Sequence, residues 1–508
     1  MENRKYIVLG AVGGFILLLL FPLLLGSCMK GCSSPARPKN GNTNKPNVVN
    51  ETKSLVVWGL YDDINLYKGV FDEFQTNNHI NIEYHKFTDP ETYRDLLINE
   101  IAEGKGPDVA MVNNTWVFGD KNKFLPFPAG QGGWTVQKYT GTDGFVKVAQ
   151  DDLILPDDSG TPQIYGFPAS IDTLALYYNE KWLREMTPSQ PIPSEVWTAD
   201  DHNDFANQVA KINKTDLSFE RFFLSGVAMG RSDNITKAVD IMSLLLLQYG
   251  TQLYDDKMQR IRLADAFTSP DPDTNVSQTV YPAKNALNLY TKFGISDVGN
   301  IFYAWNDMIT KKEMGDYEVG AFATGKVAMI FGYSYTMDQI NKLIDQKRNA
   351  GKATIDPSEV KIAPVPQATS KPIGKISFAN YYPFVVPRNS RYPKESWDLI
   401  LALVDKKSQE YYWQQAHKPT SLSSLIDTEA QDPVYQTFGR QVGYAQSLRL
   451  TDPFKFAVIV KSMVTDVLNG GGIDTTLKNA TTKLQCLLNQ YNQTGDQEGV
   501  NCMTEKSQ

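Results

Sequence analysis

Between Ser54 and Val112 the chain switches hydrophobic period four times, and that alternation constrains the fold more than any other feature. Ser54-Leu-Val-Val-Trp58 is an apolar run of strand length. Residues 64–77 place Leu66, Val70, Phe71 and Phe74 at helical spacing. Asn81-Ile-Glu-Tyr-His85 is a second strand. Asp89 and Pro90 open a helix, the aspartate as N-cap and the proline at the first position, and the helix runs to Ile101 and stops at Gly104. Val109 to Val112 is a third strand, apolar throughout, as in a strand buried on both faces. Strand, helix, strand, helix, strand means a parallel sheet with crossover helices, so the fold class is α/β.

The pattern continues along the chain. Thr173 to Tyr178 alternates as a strand and leads into a helix at Asn179-Glu-Lys-Trp. Residues 200–212 read as an amphipathic helix. Residues 238–249 are very apolar but too short to cross a bilayer, so they read as a buried core helix ended by Gly250. Residues 255–280, polar and rich in proline and aspartate, read as a surface excursion. A helix is expected over 281–293, a buried strand over Lys326–Phe331, and proline-bounded strands over 360–366 and 383–387. Further helices are expected near 394–404, 407–416, 431–440, 454–468 and 474–491. A chain of 508 residues is too long for one core, so two or more domains are expected.

The first 28 residues, MENRKYIVLGAVGGFILLLLFPLLLGSC, place Arg4 and Lys5 before an apolar run. That is a positive n-region followed by a hydrophobic h-region. Leu25-Gly-Ser-Cys28 looks like a lipobox, with Cys28 as the lipidated residue; a retained transmembrane anchor is the other reading. Both put the chain after residue 30 outside the cytoplasm, at the outer face of the membrane. Residues 29–52, rich in Ser, Pro, Asn, Gly and Lys, read as a flexible tether. In that compartment Cys486 and Cys502 are expected to form a disulfide.

A net charge of -7 argues against a nucleic-acid partner, which needs a basic face. Four histidines are scattered and there is neither Cys-x-x-Cys nor His-Glu-x-x-His, so no metal or other cofactor is expected. Asp271-Pro-Asp-Thr-Asn275 has carboxylates but lacks the glycine and distal glutamate of a calcium loop. The chain holds 25 Tyr, 24 Phe and 8 Trp; most are expected to pack in cores, and some to line a cleft, where flat rings make good binding surfaces.

Five segments in order carry a resemblance. They are Gly104-Lys-Gly-Pro-Asp-Val-Ala-Met-Val112, Tyr165-Gly-Phe-Pro168 with Leu176-Tyr-Tyr-Asn179, Phe322-Ala-Thr-Gly-Lys-Val-Ala-Met329, Ile362-Ala-Pro-Val-Pro366, and Leu468 to Ala480. Together they resemble the extracellular sugar-binding solute-binding proteins of ABC transporters over roughly residues 54–492. The resemblance implies a periplasmic-binding-protein-like fold of two lobes, each a mainly parallel sheet flanked by helices. The lobes would be 54–168 plus 378–428 and 169–377 plus 429–508, closing by hinge motion on a ligand. It also implies a monomer that takes a carbohydrate, delivers it to permease subunits and is not an enzyme.

A sugar needs flat rings for its apolar faces and amides or carboxylates for its hydroxyls. Asn113, Asn114 and Trp116 fit at the exit of the third strand, where ligands of open α/β sheets bind. Tyr61 and Asp63 follow the first strand. The resemblance places a polar ligand contact at Asp172, just after Phe167-Pro168, the first expected crossing between lobes. Tyr333 and Tyr335 follow the 326–331 strand, Tyr381 lies at the second crossing, and Trp305 lies in irregular chain. Other readings are a non-sugar ligand, a signalling receptor, or a secreted glycoside hydrolase. The hydrolase would need two carboxylates flanking one bond, and no such pair stands out. Gly-x-Ser-x-Gly is absent, and Ser358-Glu-Val-Lys361 lacks the companion motifs of Ser-x-x-Lys enzymes.

Overall fold

The apolar segments become the inner strands of two sheets. In the computed structural model the described residues are 53–199, 203–216, 221–270, 277–297, 299–305, 309, 311–368, 374–494 and 501–503. The expected signal or anchor with Cys28, the tether and the Asp271–Asn275 stretch lie outside them. Ten strands form two five-stranded sheets. In chain order they are β1 (Ser54–Leu60), β2 (Asn81–Phe87), β3 (Val109–Met111), β4 (Phe167–Pro168), β5 (Ala175–Asn179), β6 (Lys214–Asp216), β7 (Arg221–Val227), β8 (Val327–Gly332), β9 (Val360–Ala363) and β10 (Pro383–Val385). The first sheet runs β2-β1-β3-β10-β4 and the second β9-β5-β8-β7-β6.

Residue chemistry follows position in the sheet. Every residue of β3 and β8 is buried, whereas edge strand β2 alternates half-buried with exposed positions. Helix Pro90–Ala102 starts as its sequence predicts: the Asp89 carboxylate accepts the Thr92 N–H at 2.8 Å and Pro90 stands in the first turn. Helix Phe205–Ile212 begins later than expected, because the Asp204 carboxylate, 2.8 Å from the Asn207 N–H, is the cap. Helix Ala238–Gln248 is buried on most of its surface, as a largely apolar helix must be, with Asp240 in its first turn.

The expectation of mainly parallel sheets needs correction. β1 pairs parallel with β2 and β3, and β7 parallel with β8. The remaining pairings are antiparallel: β10 with β3 and β4, β5 with β8 and β9, and β6 with β7. The physical reason lies largely in connectivity. β5 and β10 arrive directly from the other sheet rather than through a crossover helix. They therefore enter against the direction of their neighbours. β5 differs in a second way, being buried along its whole length instead of alternating. Its tyrosines are apolar except at the hydroxyl, and the Tyr177 hydroxyl donates to the Tyr333 carbonyl at 2.7 Å.

Elsewhere, the surface excursion contains an antiparallel hairpin, Phe267–Pro270 with Ser277–Val280. The helix expected over 431–440 is shorter and shifted, Gln436–Val442, with a separate turn of helix, Ile426–Glu429, before it.

Two hydrophobic cores lie against the sheets. One holds Leu55, Val57, Val109, Phe167, Phe384 and Trp397; the other holds Leu176, Ile241, Leu287, Ile330, Phe438 and Leu488. Each such side chain contributes about 1.5–3 kcal/mol on full burial. Core membership changes between Ile171 and Leu174, and again between Phe378 and Ala379. These two crossings are paired with each other through a bridge between Thr173 and Ala379. Near the C-terminus Cys486 and Cys502 are bonded, with Cα atoms 5.6 Å apart.

Candidate functional site

The C-terminal ends of β1, β3 and β8 and the two crossings meet in one polar, aromatic seam. After β1 the chain turns at Tyr61, whose φ of 70° is a left-handed value rarely adopted by a bulky residue. The Tyr61 N–H still donates to the Phe87 carbonyl at 2.7 Å, extending the β1–β2 ladder by one residue. Its side chain leaves the sheet 40 % exposed, with its ring edge-on to Tyr382 at 5.6 Å. Burial raises the Tyr61 hydroxyl pKa, Asp89 adds to the rise, and Lys237 from the second sheet's side opposes it.

Asp62, next in the chain, points the other way. It accepts from the Tyr67 hydroxyl, from the Tyr412 hydroxyl at 2.7 Å and from the Lys418 ammonium at 2.8 Å. Burial works to raise the Asp62 pKa, but Lys418 and the hydroxyl donors outweigh it, and the carboxyl stays below its ordinary value. The buried network fixes the backbone beneath Tyr61.

At the end of β3, Asn113 caps helix Asn114–Gly119 and donates to the Asn380 side-chain oxygen at 2.6 Å. Asn380 belongs to the second crossing, and its N–H donates to the Asp172 carbonyl at 2.9 Å. Asn380 also interacts with the Tyr333 hydroxyl, which donates to Asp240 at 2.9 Å. A polar line therefore runs Asn113–Asn380–Tyr333–Asp240, from the first sheet across to the second, with hydrogen bonds at its two ends, Asn113 to Asn380 and Tyr333 to Asp240. Asn113 also meets the Tyr382 hydroxyl.

Tyr335 stacks on Tyr333 with centroids 6.0 Å apart and is 38 % exposed. The Lys237 ammonium lies 5.8 Å from the Tyr335 ring centroid and pairs with Asp316 at 2.9 Å. Asp172 ties the first crossing to this loop: it accepts from the Ser334 hydroxyl at 2.7 Å and the Thr173 N–H at 2.9 Å. Burial pushes the Asp172 carboxyl up to about 6, with the Ser334 bonds pulling it down.

The structure thus brings Tyr61, Asn113, Asp172, Tyr333 and Tyr335 together. Asp63 lies nearby but is exposed, capping the short turn Ile64–Leu66 and facing Lys86 at 3.6 Å. Four other sequence candidates sit elsewhere. Trp116 is buried against Tyr93 and Phe454. Asn114 and Tyr381 both donate to the buried Asp152, at 3.0 and 2.7 Å. Trp305 is buried in the second core and its indole N–H donates to Asn234 at 3.0 Å. The sequence reading passed over Tyr382, Asn380, Asp240, Lys237 and Lys418. Asn380 and Tyr382 flank Tyr381 in extended chain, so a period of two would have assigned them to the opposite face from it. Asp240 lies in the first turn of an apolar helix, where a lone carboxylate reads as helix-end chemistry.

With this geometry in place, comparison with known proteins decides the family. The sequence profile described as "Bacterial extracellular solute-binding protein" matches residues 69–437. This chain belongs to that family. The family is one of binding proteins, and its name places the folded part of this solute-binding protein outside the cytoplasm. Among the described residues no helix is long and apolar enough to cross a membrane. A search of curated proteins gives no match.

Solved structures share the fold at low identity. The GacH receptor of Streptomyces glaucescens, studied with acarbose, aligns at TM-score 0.62 and 18 % identity, over 86 % of this chain and 99 % of the receptor. The sugar-binding protein MalE of Xanthomonas citri aligns at 0.65 and 16 %, over 88 % and 100 %. A substrate-binding protein of Listeria monocytogenes in complex with cycloalternan aligns at 0.58 and 14 %, over 85 % and 98 %. These likenesses establish two-lobed α/β architecture.

Proposed function

We propose that this solute-binding protein captures a carbohydrate in the seam between its two lobes and delivers it to an ABC importer. The observation that carries the reading is two exposed rings contributed from different sheets to one polar seam: Tyr61, edge-on to Tyr382, after β1, and Tyr335, stacked on Tyr333, after β8. Rings offer faces to a sugar's C–H surface, while Asn113, Asn380 and Asp240 offer donors and acceptors to its hydroxyls. Proteins of the same fold are described as binding acarbose, maltotetraose and mannobiose, which supports the same ligand class here. The lobes of this reading are approximately 54–168 plus 378–428 and 169–377 plus 429–508, moving about the two crossings, where the cores change between Ile171 and Leu174 and between Phe378 and Ala379. Cys28 carries a lipid that holds the monomeric protein at the membrane's outer face. No catalytic role is assigned to any residue of the seam.

A thermal-shift screen of the purified protein against mono- and oligosaccharides, with peptides and polyamines as controls, tests the reading. A ligand at 100 times its Kd stabilises the fold by about 2.7 kcal/mol. A shift with one saccharide class, recovered unchanged by chromatography, is the expected result. A shift with a control alone would end the carbohydrate assignment, and consumed sugar would indicate a hydrolase.

A further inference from the structure

The charged groups along the seam are unequally matched. Lys418 is held by Asp62 at 2.8 Å and Lys237 by Asp316 at 2.9 Å. Glu318 accepts the backbone N–H groups of Thr236 and Lys237, at 3.1 and 3.3 Å. Asp172 is taken by Ser334 and Thr173. At the rim, Lys86 faces Asp63. Asp240 differs from all of these. It is half-buried, one of its oxygens receives the Tyr333 hydroxyl, and its Oδ1 has no hydrogen bond among the described residues.

Lys237, Asp316 and Lys461 are the main charges facing Asp240. Lys237 is already paired with Asp316. Lys461 is exposed on helix Pro453–Leu468, where water and salt screen it. Asp89, also exposed, adds negative charge beside Tyr61. None of these contacts involves an arginine. A carboxylate, sulfate or phosphate entering the seam would meet an aspartate oxygen with no hydrogen bond, while Lys237 and Lys418 are already paired and the exposed Lys461 is screened by solvent. A hydroxyl or an amine would find in that oxygen an acceptor.

We infer that the site selects against negative charge: its ligand is a saccharide without acidic groups, and Asp240 is the residue that reads the charge. This rests on the carbohydrate reading above. Among saccharides, it admits neutral and amine-bearing ones and rejects uronates and sulfated sugars.

The test is a retention experiment. The purified protein is mixed at low salt with size-matched oligosaccharides from starch and cellulose (neutral), chitosan (amine-bearing), and pectin and alginate (uronate). The unbound fraction is washed through an ultrafiltration membrane and the retained species are identified by mass. Retained species are expected to be neutral or amine-bearing, with uronates depleted about tenfold or more. The depletion should shrink in Asp240→Asn and, for the unaltered protein, at high salt. Uronates retained as well as or better than the others would overturn the charge rule. Unchanged discrimination in a folded Asp240→Asn protein would overturn the role of Asp240. Retention of no saccharide of any charge, with a peptide or polyamine retained instead, would refute the carbohydrate reading itself, a different outcome from either.

Discussion

Tyr61 holds a bulky side chain at φ 70° on the edge of the seam, an arrangement that costs of order 1–3 kcal/mol and that glycine would adopt freely. Replacing it by glycine separates stability from function: Tyr61→Gly should melt at the same temperature or slightly higher, yet lose ligand affinity. A fall in both, seen by calorimetry, would mean that the ring is structural. Beneath it, the Asp62–Lys418 pair is buried with its two tyrosines. Removing one partner leaves a buried charge unmatched, so Lys418→Met should cost about 3–5 kcal/mol in denaturant unfolding. Two further carboxylates set a pH dependence. Burial pushes Asp172 up to about 6, and pushes Glu429, which accepts the Thr420 N–H with both oxygens, up to about 7. Both values lie above those of the unfolded chain. Between about pH 4 and 7 the folded state therefore keeps protons that the unfolded state has released, and these groups' contribution to stability falls as pH rises through that window. The wild-type protein should gain more in melting temperature between pH 7.5 and 5 than Asp172→Asn or Glu429→Gln does. At this scale the sequence supplied residue types and strand ends, which sufficed to place Tyr61, Asn113 and Tyr335 at the seam. It did not supply side-chain direction: Tyr381 and Tyr382 are neighbours of the same chemistry, and only the fold sends one to Asp152 and the other to Asn113.

Elements were legible where their signals were local. The Asp89–Pro90 start and the uniformly apolar β3 needed no tertiary information. β7 went unpredicted, and the 267–280 hairpin was hidden in a stretch whose prolines and aspartates read as loop, because their pairing depends on distant or flanking partners. Two elements make testable joints. Helix Asn114–Gly119 ends against the 450–451 backbone, and a Cβ on Gly119 would sit 2.4 Å from the Thr451 carbonyl oxygen. Gly119→Ala should therefore push that helix off its support and lower stability by about 1–3 kcal/mol, measurable as a shifted denaturant midpoint. The long C-terminal helix Ile473–Thr494 carries Cys486, whose bond to Cys502 closes a segment of sequence separation 16. On the loop-entropy account Cys502→Ser should lose about 3 kcal/mol, and a reducing agent should lower the wild-type melting temperature in the same direction. An unchanged midpoint under full reduction would contradict that account.

For the whole molecule, the order of motifs announces a two-lobed solute-binding fold in the sequence itself, because the first crossing carries its own marks, Tyr165–Pro168 followed by Leu176–Asn179. The mixed character of the sheets was not announced, since strand direction depends on which sheet a strand has just left. That same topology puts ring surfaces from two different sheets on one polar seam, which is why the ligand is assigned to the space between lobes rather than to either alone. Isothermal titration of the saccharide retained in the screen, into the wild-type protein, Tyr61→Ala and Tyr335→Ala, addresses this directly. Capture between the lobes predicts that each variant, one from either side, stays folded and binds about tenfold or more weakly, as the loss of one stacking ring would give. Full affinity in both variants, or loss confined to one, would place the ligand elsewhere and contradict the account.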